Sequence, residues 1–175
     1  MYRVKNNEEK LQIERKQKQF TRIVGISIFI GIIIVTGFII YYLLTPEPGF
    51  VVFGILNSEG KAEDYPTEAG VGENVFFYTT VDNYLNRDFT FRVEILRGDN
   101  DTILSLTEPA KNAESYYNTT EITIKQNERW ISDMLNVSFI SAGSNQIIIA
   151  ELWEIIDISS ETFNNNLWLR LNITS

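Results

Sequence analysis

The chain has 175 residues and a formal net charge of −8, and it contains no cysteine and no histidine. This composition excludes disulfides, thiolate or imidazole zinc sites, cysteine nucleophiles and Ser-His-Asp triads. The acidic balance argues against a nucleic-acid partner, because phosphates repel a negatively charged surface.

The chain starts with a basic segment, residues 1–22, and continues with an apolar stretch, residues 23–44. The basic segment carries seven Lys or Arg and three Glu, which gives a net charge of +4. The 22 residues of the apolar stretch are uncharged and would span about 33 Å as a helix, enough for a hydrocarbon core of about 30 Å. The sequence therefore predicts a transmembrane helix over residues 23–44, with its N-terminus in the cytoplasm by the positive-inside rule.

A cleaved signal peptide is the alternative for this stretch. The apolar region of a signal peptide is usually about 7–15 residues long and ends in a small-x-small cleavage site. Here the apolar run is longer and ends in Tyr41-Tyr42-Leu43-Leu44. The pattern favours an uncleaved signal anchor in a single-pass protein. Residues 45–49, with prolines at 46 and 48, predict a stiff, non-helical exit linker.

The rest of the chain shows strand patterns and an acidic balance. Residues 45–175 carry eight Lys or Arg and 20 Asp or Glu, so their net charge is −12. Period-two alternation and β-branched or aromatic runs predict strands. These strands cover residues 50–56, 74–82, 89–96, 102–106, 120–125, 130–140, 146–156 and 167–174. No convincing helix is predicted after residue 44.

Three of these strands carry further expectations. Residues 89–96 show the clearest alternation, and together with residues 74–82 they are predicted to form a hairpin. Residues 146–156 are apolar on both faces, as expected of a central strand covered on both sides. Asn164 to Asn166 is predicted to break the chain before the last strand.

The strand count predicts the fold class. Seven or eight strands separated by turn signals are typical of an antiparallel immunoglobulin-like β-sandwich, here predicted as an extracytoplasmic domain over residues 50–175. The Cys-Trp-Cys hallmark of true immunoglobulin domains is missing from the sequence. A partly open barrel is the alternative architecture.

One stretch resembles a known family. Residues 59–66 read Glu-Gly-Lys-Ala-Glu-Asp-Tyr-Pro and look like part of the C-terminal region of an archaeal membrane family known as domain of unknown function 1616. Residues 84–94 resemble its turn-then-strand pattern, and residues 166–174 resemble its closing strand. The resemblance covers most of residues 49–175 and implies an archaeal source and a membrane topology. It implies no activity, and many members carry several membrane helices where this chain has one predicted helix.

The predicted outer segment contains four N-x-S/T sequons, at Asn100, Asn118, Asn136 and Asn172. A glycan acceptor must be exposed and translocated, and these asparagines fall in loops or on the outward phase of strands. We therefore predict N-glycosylation at one or more of them, with chance occurrence in an Asn- and Thr-rich sequence as the alternative.

Other candidate site residues are few. Glu63, Asp64 and Tyr65 lie in the most family-like stretch and are candidates for binding a partner or a cation, with a structural role in the loop as the alternative. Trp168 has the outward phase of its strand and is a candidate contact residue, whereas Trp130 and Trp153 are expected in the core. Asp99 and Asp101 supply oxygen ligands suited to Ca²⁺, although an ordinary hairpin turn is the favoured interpretation.

These patterns favour a non-enzymatic, membrane-anchored surface interaction or structural module. It would act alone or as an accessory subunit of a membrane or cell-envelope complex, with the bilayer and other envelope proteins as partners. No catalytic residue and no cofactor are predicted. The alternative is a carbohydrate-binding or hydrolytic ectodomain, and glycoside hydrolysis would need two carboxylates facing each other across a cleft.

Overall fold

The computed structural model of the chain describes residues 2–45, 48–157 and 159–175, with side chains from residue 13 onward. Residues 46 and 47, which belong to the predicted exit linker, lie outside the described residues. The chain divides into two compact units, Met1–Glu47 and Pro48–Ser175.

The first unit is one continuous helix, α1, over Tyr2–Leu44. Its stretch from Ile13 to Leu44 is long and apolar enough to cross a membrane, by length and composition, and none of that stretch is buried against protein. The helix ends just before Pro46, because a proline disfavours the helical conformation in the residue that precedes it. The hydroxyl and the N–H of Thr45 both donate to the Tyr41 carbonyl, at 2.7 and 2.9 Å, which satisfies one acceptor of the last turn.

The second unit contains ten strands in its described residues. In chain order they are β1 (Val51–Asn57), β2 (Glu68–Gly70), β3 (Val75–Asn83), β4 (Phe89–Gly98), β5 (Glu114–Asn118), β6 (Ile122–Ile124), β7 (Arg129–Ile131), β8 (Leu135–Val137), β9 (Gly143–Asp157) and β10 (Ser160–Thr174). The predicted β-rich character of this region is confirmed.

The strands form two sheets. The first sheet has four strands in the order β1-β3-β7, with β8 also paired to β3. The second sheet has six strands in the order β2-β10-β9-β4-β5, with β6 also paired to β4. Strand pairs are antiparallel except for β2 and β10, which run parallel. β5 and β6, which both pair with β4, therefore end the second sheet on one side, and β7 and β8 end the first sheet on one side.

Apolar side chains from both sheets share one hydrophobic core, called here the main core. The alternation predicted along β4 is confirmed, because Phe89, Phe91, Val93 and Ile95 are all buried in it. The first sheet contributes residues such as Phe77 and Val81 from β3. The period-two pattern thus predicts which face of each strand is buried in the core.

The prediction that residues 146–156 form a doubly covered strand is also confirmed. β9 lies between β4 and β10. Its residues Ile148, Ala150 and Leu152 face the main core. Ile147 and Ile149 face the other side, where they form a second cluster with Leu96. This second cluster is covered by partly buried apolar residues of the β4–β5 connection and of β10: Leu104, Ala110, Ala113 and Trp168.

The predicted hairpin between residues 74–82 and 89–96 is wrong. β3 belongs to the first sheet and β4 to the second, so the connection crosses between the sheets. The buried side chain of Asn83 explains the crossing. Its amide nitrogen donates to the carbonyls of Arg87 and Ile124, at 2.9 and 3.2 Å, and its amide oxygen accepts from the Leu85 N–H at 2.9 Å. These bonds fix a wide connection in place of a tight turn.

Three other strand predictions are corrected. Residues 102–106 contain only an isolated bridge, from Ile103 to Lys111. Residues 130–140 form two short strands, because the Ser132 hydroxyl accepts the Thr79 N–H at 3.0 Å and so interrupts the backbone ladder. Residues 164–166 do not break the chain but lie within β10, where the register shifts between Phe163 and Asn165 at a β-bulge.

Candidate functional site

The family-like loop that contains Glu63, Asp64 and Tyr65 is fixed to the first sheet. The Asn57 amide donates to the Glu63 carbonyl at 2.8 Å, and the Tyr65 hydroxyl donates to the Ile55 carbonyl at 2.7 Å. Burial raises the pKa of the Tyr65 hydroxyl. The Tyr65 ring packs against the main core, whereas the side chains of Glu63 and Asp64 are exposed. A structural role therefore accounts for Tyr65, and an interaction role for the two acidic side chains stays a prediction.

Replacing Tyr65 by phenylalanine should lower the free energy of unfolding by about 1 kcal/mol, because the Ile55 carbonyl loses a hydrogen-bond donor while the ring packing is kept. Urea denaturation followed by tryptophan fluorescence measures this change. Tyr84→Phe is the matched control, since the Tyr84 side chain is exposed. Equal stability of both variants would show that the hydroxyl does not anchor the loop.

The tryptophans do not share one platform. Trp130 packs against the main core, with its ring edge-to-face to Phe91 at a centroid distance of 5.4 Å. The prediction that Trp153 lies in the core is wrong. Trp153 lies on the outer face of the second sheet, and the Arg92 guanidinium is 5.0 Å from its ring centroid. Trp168 is half-buried against the second cluster. Trp168 therefore points outward from the main core as predicted, but it packs against the second cluster and is not fully exposed.

All four sequon asparagines, Asn100, Asn118, Asn136 and Asn172, have exposed side chains. Asn118 already accepts a hydrogen bond from Arg92 at 2.7 Å. Asn136 lies in β8 opposite Phe76 of β3. Exposure is necessary for glycosylation and does not establish it, so modification stays a prediction.

The Asp99–Asp101 segment forms a hydrogen-bonded turn. The Asp99 carboxylate accepts the Asp101 N–H at 2.9 Å, and the Asp99 N–H donates to the Thr102 hydroxyl at the same distance. Among the described residues, no group of three or more acidic side chains is arranged to hold a metal ion. The geometry is that of the turn predicted as the favoured interpretation.

The outer face of the second sheet holds a buried carboxylate, Glu151, which is 1% exposed. One oxygen accepts the Ala110 N–H at 2.6 Å, and the other accepts the Trp153 indole N–H at 3.2 Å. Burial is the main cause that raises the pKa of Glu151. Asn166 lies directly across from it on β10 and is fully buried, with neither side-chain atom hydrogen-bonded within the described residues.

An ion-pair network adjoins this carboxylate. Arg92 makes a two-pronged contact with Glu161, at 2.7 and 2.8 Å, and a third bond to Glu94 at 2.9 Å. Glu94 and Glu151 are register partners on the neighbouring strands β4 and β9. Ser115 donates to the other Glu94 oxygen at 2.7 Å. The two neighbouring carboxylates, Glu94 and Glu151, are thus occupied by protein donors and do not face each other across a cleft.

A groove runs along the open side of the second unit, between the edge of the second sheet and the edge of the first. It consists of two adjoining cavities of about 390 and 310 Å³, which share Tyr117, Asp133 and Leu135. We call it the edge groove. Its further lining residues are Ile95, Tyr116, Asn118, Thr119, Thr120, Ile122, Trp130, Ile131, Ser132, Met134 and Asn136.

The edge groove exposes apolar side chains. Tyr116, Tyr117, Ile131 and Met134 lie on its two walls, and Met134 is 50% exposed. Exposed apolar groups gathered in a concave surface are typical of binding sites. The edge groove is therefore the strongest candidate site on this unit.

One end of the edge groove is tied together by Arg97. Its guanidinium donates to the Ser138 carbonyl at 3.1 Å, which connects the second sheet to the segment after β8. It also pairs with Glu114 at 2.7 Å and lies 4.8 Å from the centroid of the Tyr116 ring. These contacts hold Tyr116 in place, so the groove wall is supported by the fold itself.

No strand is predicted between residues 106 and 120, so the sequence pattern alone does not locate this site. β5 has the sequence Glu-Ser-Tyr-Tyr-Asn and is exposed throughout, so it lacks the alternation that marks a half-buried strand. The adjacent tyrosines, which favour strands, were the available signal.

Three solved structures are similar to part of the chain. The CARDB domain of a Pyrococcus furiosus protein, in complex with di-metal ions, is similar with a TM-score of 0.48 and 15% identity over 75% of this chain and 93% of that chain. The C-terminal domain of Wzt is similar with a TM-score of 0.45 and 11% identity over 75% of this chain and 80% of that chain. A Listeria innocua β-glucosidase in complex with glucose is similar with a TM-score of 0.46 and 7% identity over 73% of this chain, but over only 16% of the enzyme.

No protein-family model matches the chain, and no curated protein sequence matches it. At these identities and TM-scores, the likeness carries no argument about function or site residues.

Proposed function

We infer that the protein is a single-pass membrane protein whose outer domain, an immunoglobulin-like sandwich, works as a non-catalytic interaction module. The observation that carries this proposal is the edge groove, a concave surface of mixed polarity between two sheet edges, with exposed apolar side chains on both walls. The apolar, unburied half of α1 supports the anchor. The basic segment before it supports a cytoplasmic N-terminus.

The module acts as an accessory subunit of a membrane or cell-envelope complex, and its partner is another membrane or envelope protein. Sequons that are all exposed support N-glycosylation of the outer domain. The resemblance of residues 59–66 supports a relation to the archaeal family named above.

A hydrolytic ectodomain is less well supported. The cavities of the edge groove have a single carboxylate in their lining, that of Asp133. Glu94 and Glu151, which are neighbours in register, are both bound by protein donors. Glycoside hydrolysis requires two carboxylates, and the described lining of this groove supplies one.

Affinity purification from native membranes in mild detergent tests the proposal. The wild-type protein should retain a partner in roughly fixed ratio, and Met134→Asp should lose it, because a charge would replace an exposed apolar contact that the partner buries. Ile156→Asp is the matched control, since Ile156 is exposed and lies outside the groove lining. Recovery of the wild-type protein without a partner would overturn the proposal, and so would equal loss in both variants.

Topology is tested separately with protease on sealed cells. Residues 48–175 should be digested while residues 1–22 are protected, because the proposed anchor leaves the acidic domain outside. The reverse pattern would place the domain inside the cell and remove the surface role.

A further inference from the structure

Both walls of the edge groove carry backbone groups that point away from the sheet to which their strand belongs. The Thr119 N–H donates to the Val93 carbonyl at 2.9 Å, across the register pair of Glu94 and Asn118. In an antiparallel ladder, the N–H and C=O groups of the residue next to such a bond point away from the partner strand. Those of Asn118 therefore face the free edge of β5.

The opposite wall has the same arrangement. The Ser132 N–H donates to the Thr79 carbonyl at 2.9 Å, across the register pair of Thr80 and Ile131. The N–H and C=O of Ile131 therefore point away from β3 and toward the free edge of β7. An edge with unpaired backbone groups is a template for another strand.

We propose that the edge groove binds an extended segment of a partner protein, which adds to the free edge of β5 as a further strand of the second sheet. This rests on the proposed function and specifies its partner. Main-chain hydrogen bonds to Asn118 supply one part of the recognition, and side-chain pockets supply the other, as in other cases of strand addition.

The groove determines the chemistry of the segment. Its lining includes apolar residues that are buried or half-buried: Ile95, Ile122, Trp130 and Leu135. Alternate side chains of an added strand point to the same face, so every second residue of the segment is apolar. β5 has five residues, which at about 3.4 Å per residue accommodate a segment of about 17 Å.

The charge of the domain favours binding of a different protein over binding of a second copy of this chain. Among the described residues, the lining of the two cavities contains one carboxylate, Asp133, and no lysine or arginine. Residues 45–175 carry a net charge of −12, from eight basic and 20 acidic residues. Two such domains repel each other, whereas a segment with basic residues between its apolar ones is attracted.

A backbone test separates strand addition from simple side-chain contact. Asn118→Pro removes the N–H on the free edge and leaves the β4 ladder intact, because proline is tolerated where the N–H faces solvent on an edge strand. Asn118→Ala is the matched control. Both variants remove the sequon and the bond from Arg92, and only the proline removes the N–H.

The readout is photo-cross-linking of the full-length protein in native membranes, with benzoylphenylalanine at position 134 and, as a second site, at position 156. We expect an adduct from position 134 alone, mapping to one short polypeptide segment with apolar residues at alternate positions. Asn118→Pro should lower its yield about tenfold, the effect of losing roughly one backbone hydrogen bond and the close fit of the edge, while Asn118→Ala keeps it.

Several results would overturn strand addition: adducts only to lipid, to glycan or to a second copy of the chain, no adduct at all, or equal yields from the proline and alanine variants. If the proline variant does not fold, as judged by its thermal midpoint, the cross-link map from position 134 decides. If a partner co-purifies but no adduct forms in the groove, strand addition is contradicted and the proposed function is not. Absence of any partner from the wild-type protein sinks both.

Discussion

Phe91→Ala is expected to lower the free energy of unfolding of the outer domain by about 3–5 kcal/mol. Phe91 is 0% exposed and lies in β4 at the centre of the main core. Its ring stacks on Phe89 and meets Trp130 edge-to-face, each at a centroid distance of 5.4 Å. Since β4 belongs to the second sheet and β7 to the first, the contact with Trp130 joins the two layers.

Chemical denaturation of the purified protein measures this change, with near-ultraviolet circular dichroism to report the packing of Trp130. Phe76→Ala is the matched control, because Phe76 is 41% exposed on β3. The control should cost about 1 kcal/mol or less. If the two substitutions cost the same, the main core is not centred where β4 places it.

The strands most accessible to sequence reasoning were those with one buried face or two. β4 shows strict alternation, and β9 is apolar on both sides, so burial alone determines their pattern. The hairpin prediction failed because the alternation of two neighbouring strands does not say whether they share a sheet. In the structure, the side-chain bonds of Asn83 hold the connection that leads from one sheet to the other.

The edge groove could not be predicted from local sequence patterns, for a related reason. It is formed by β5 and β7–β8, which belong to different sheets and meet only through the pairing topology. The buried carboxylate was more accessible. Glu151 is the one charged residue in the run Ile147 to Trp153. An acidic residue inside a strand that is apolar on both faces either has hydrogen-bond donors beside it or destabilises the fold by its desolvation.

Glu151 should make stability fall as the pH rises. Because burial raises its pKa, the folded protein holds this proton to a higher pH than the unfolded chain does. The stabilising contribution is complete below the pKa of the unfolded chain, about 4.3, and is lost as the pH rises through the folded value. Glu94 on β4 acts in the same direction and Arg92 in the opposite one, since their charges face the same carboxylate.

Two substitutions isolate this effect. Glu151→Gln and Glu151→Ala both remove the titrating group, so the stability of each relative to wild type should rise between pH 4 and pH 8. The pKa values of Glu161 and Glu108, which are lowered by Arg92 and Lys111, add the opposite slope. That slope is common to all three proteins and cancels in the difference.

The offset between the variants reports the buried donors. Alanine leaves the Ala110 N–H and the Trp153 indole N–H unpaired, whereas glutamine can still accept at least one of them. At every pH, Glu151→Ala should therefore be less stable than Glu151→Gln by about 1–3 kcal/mol. Urea titrations across this pH range measure both quantities. A glutamine variant whose pH profile parallels that of the wild type would show that Glu151 is not the group that titrates.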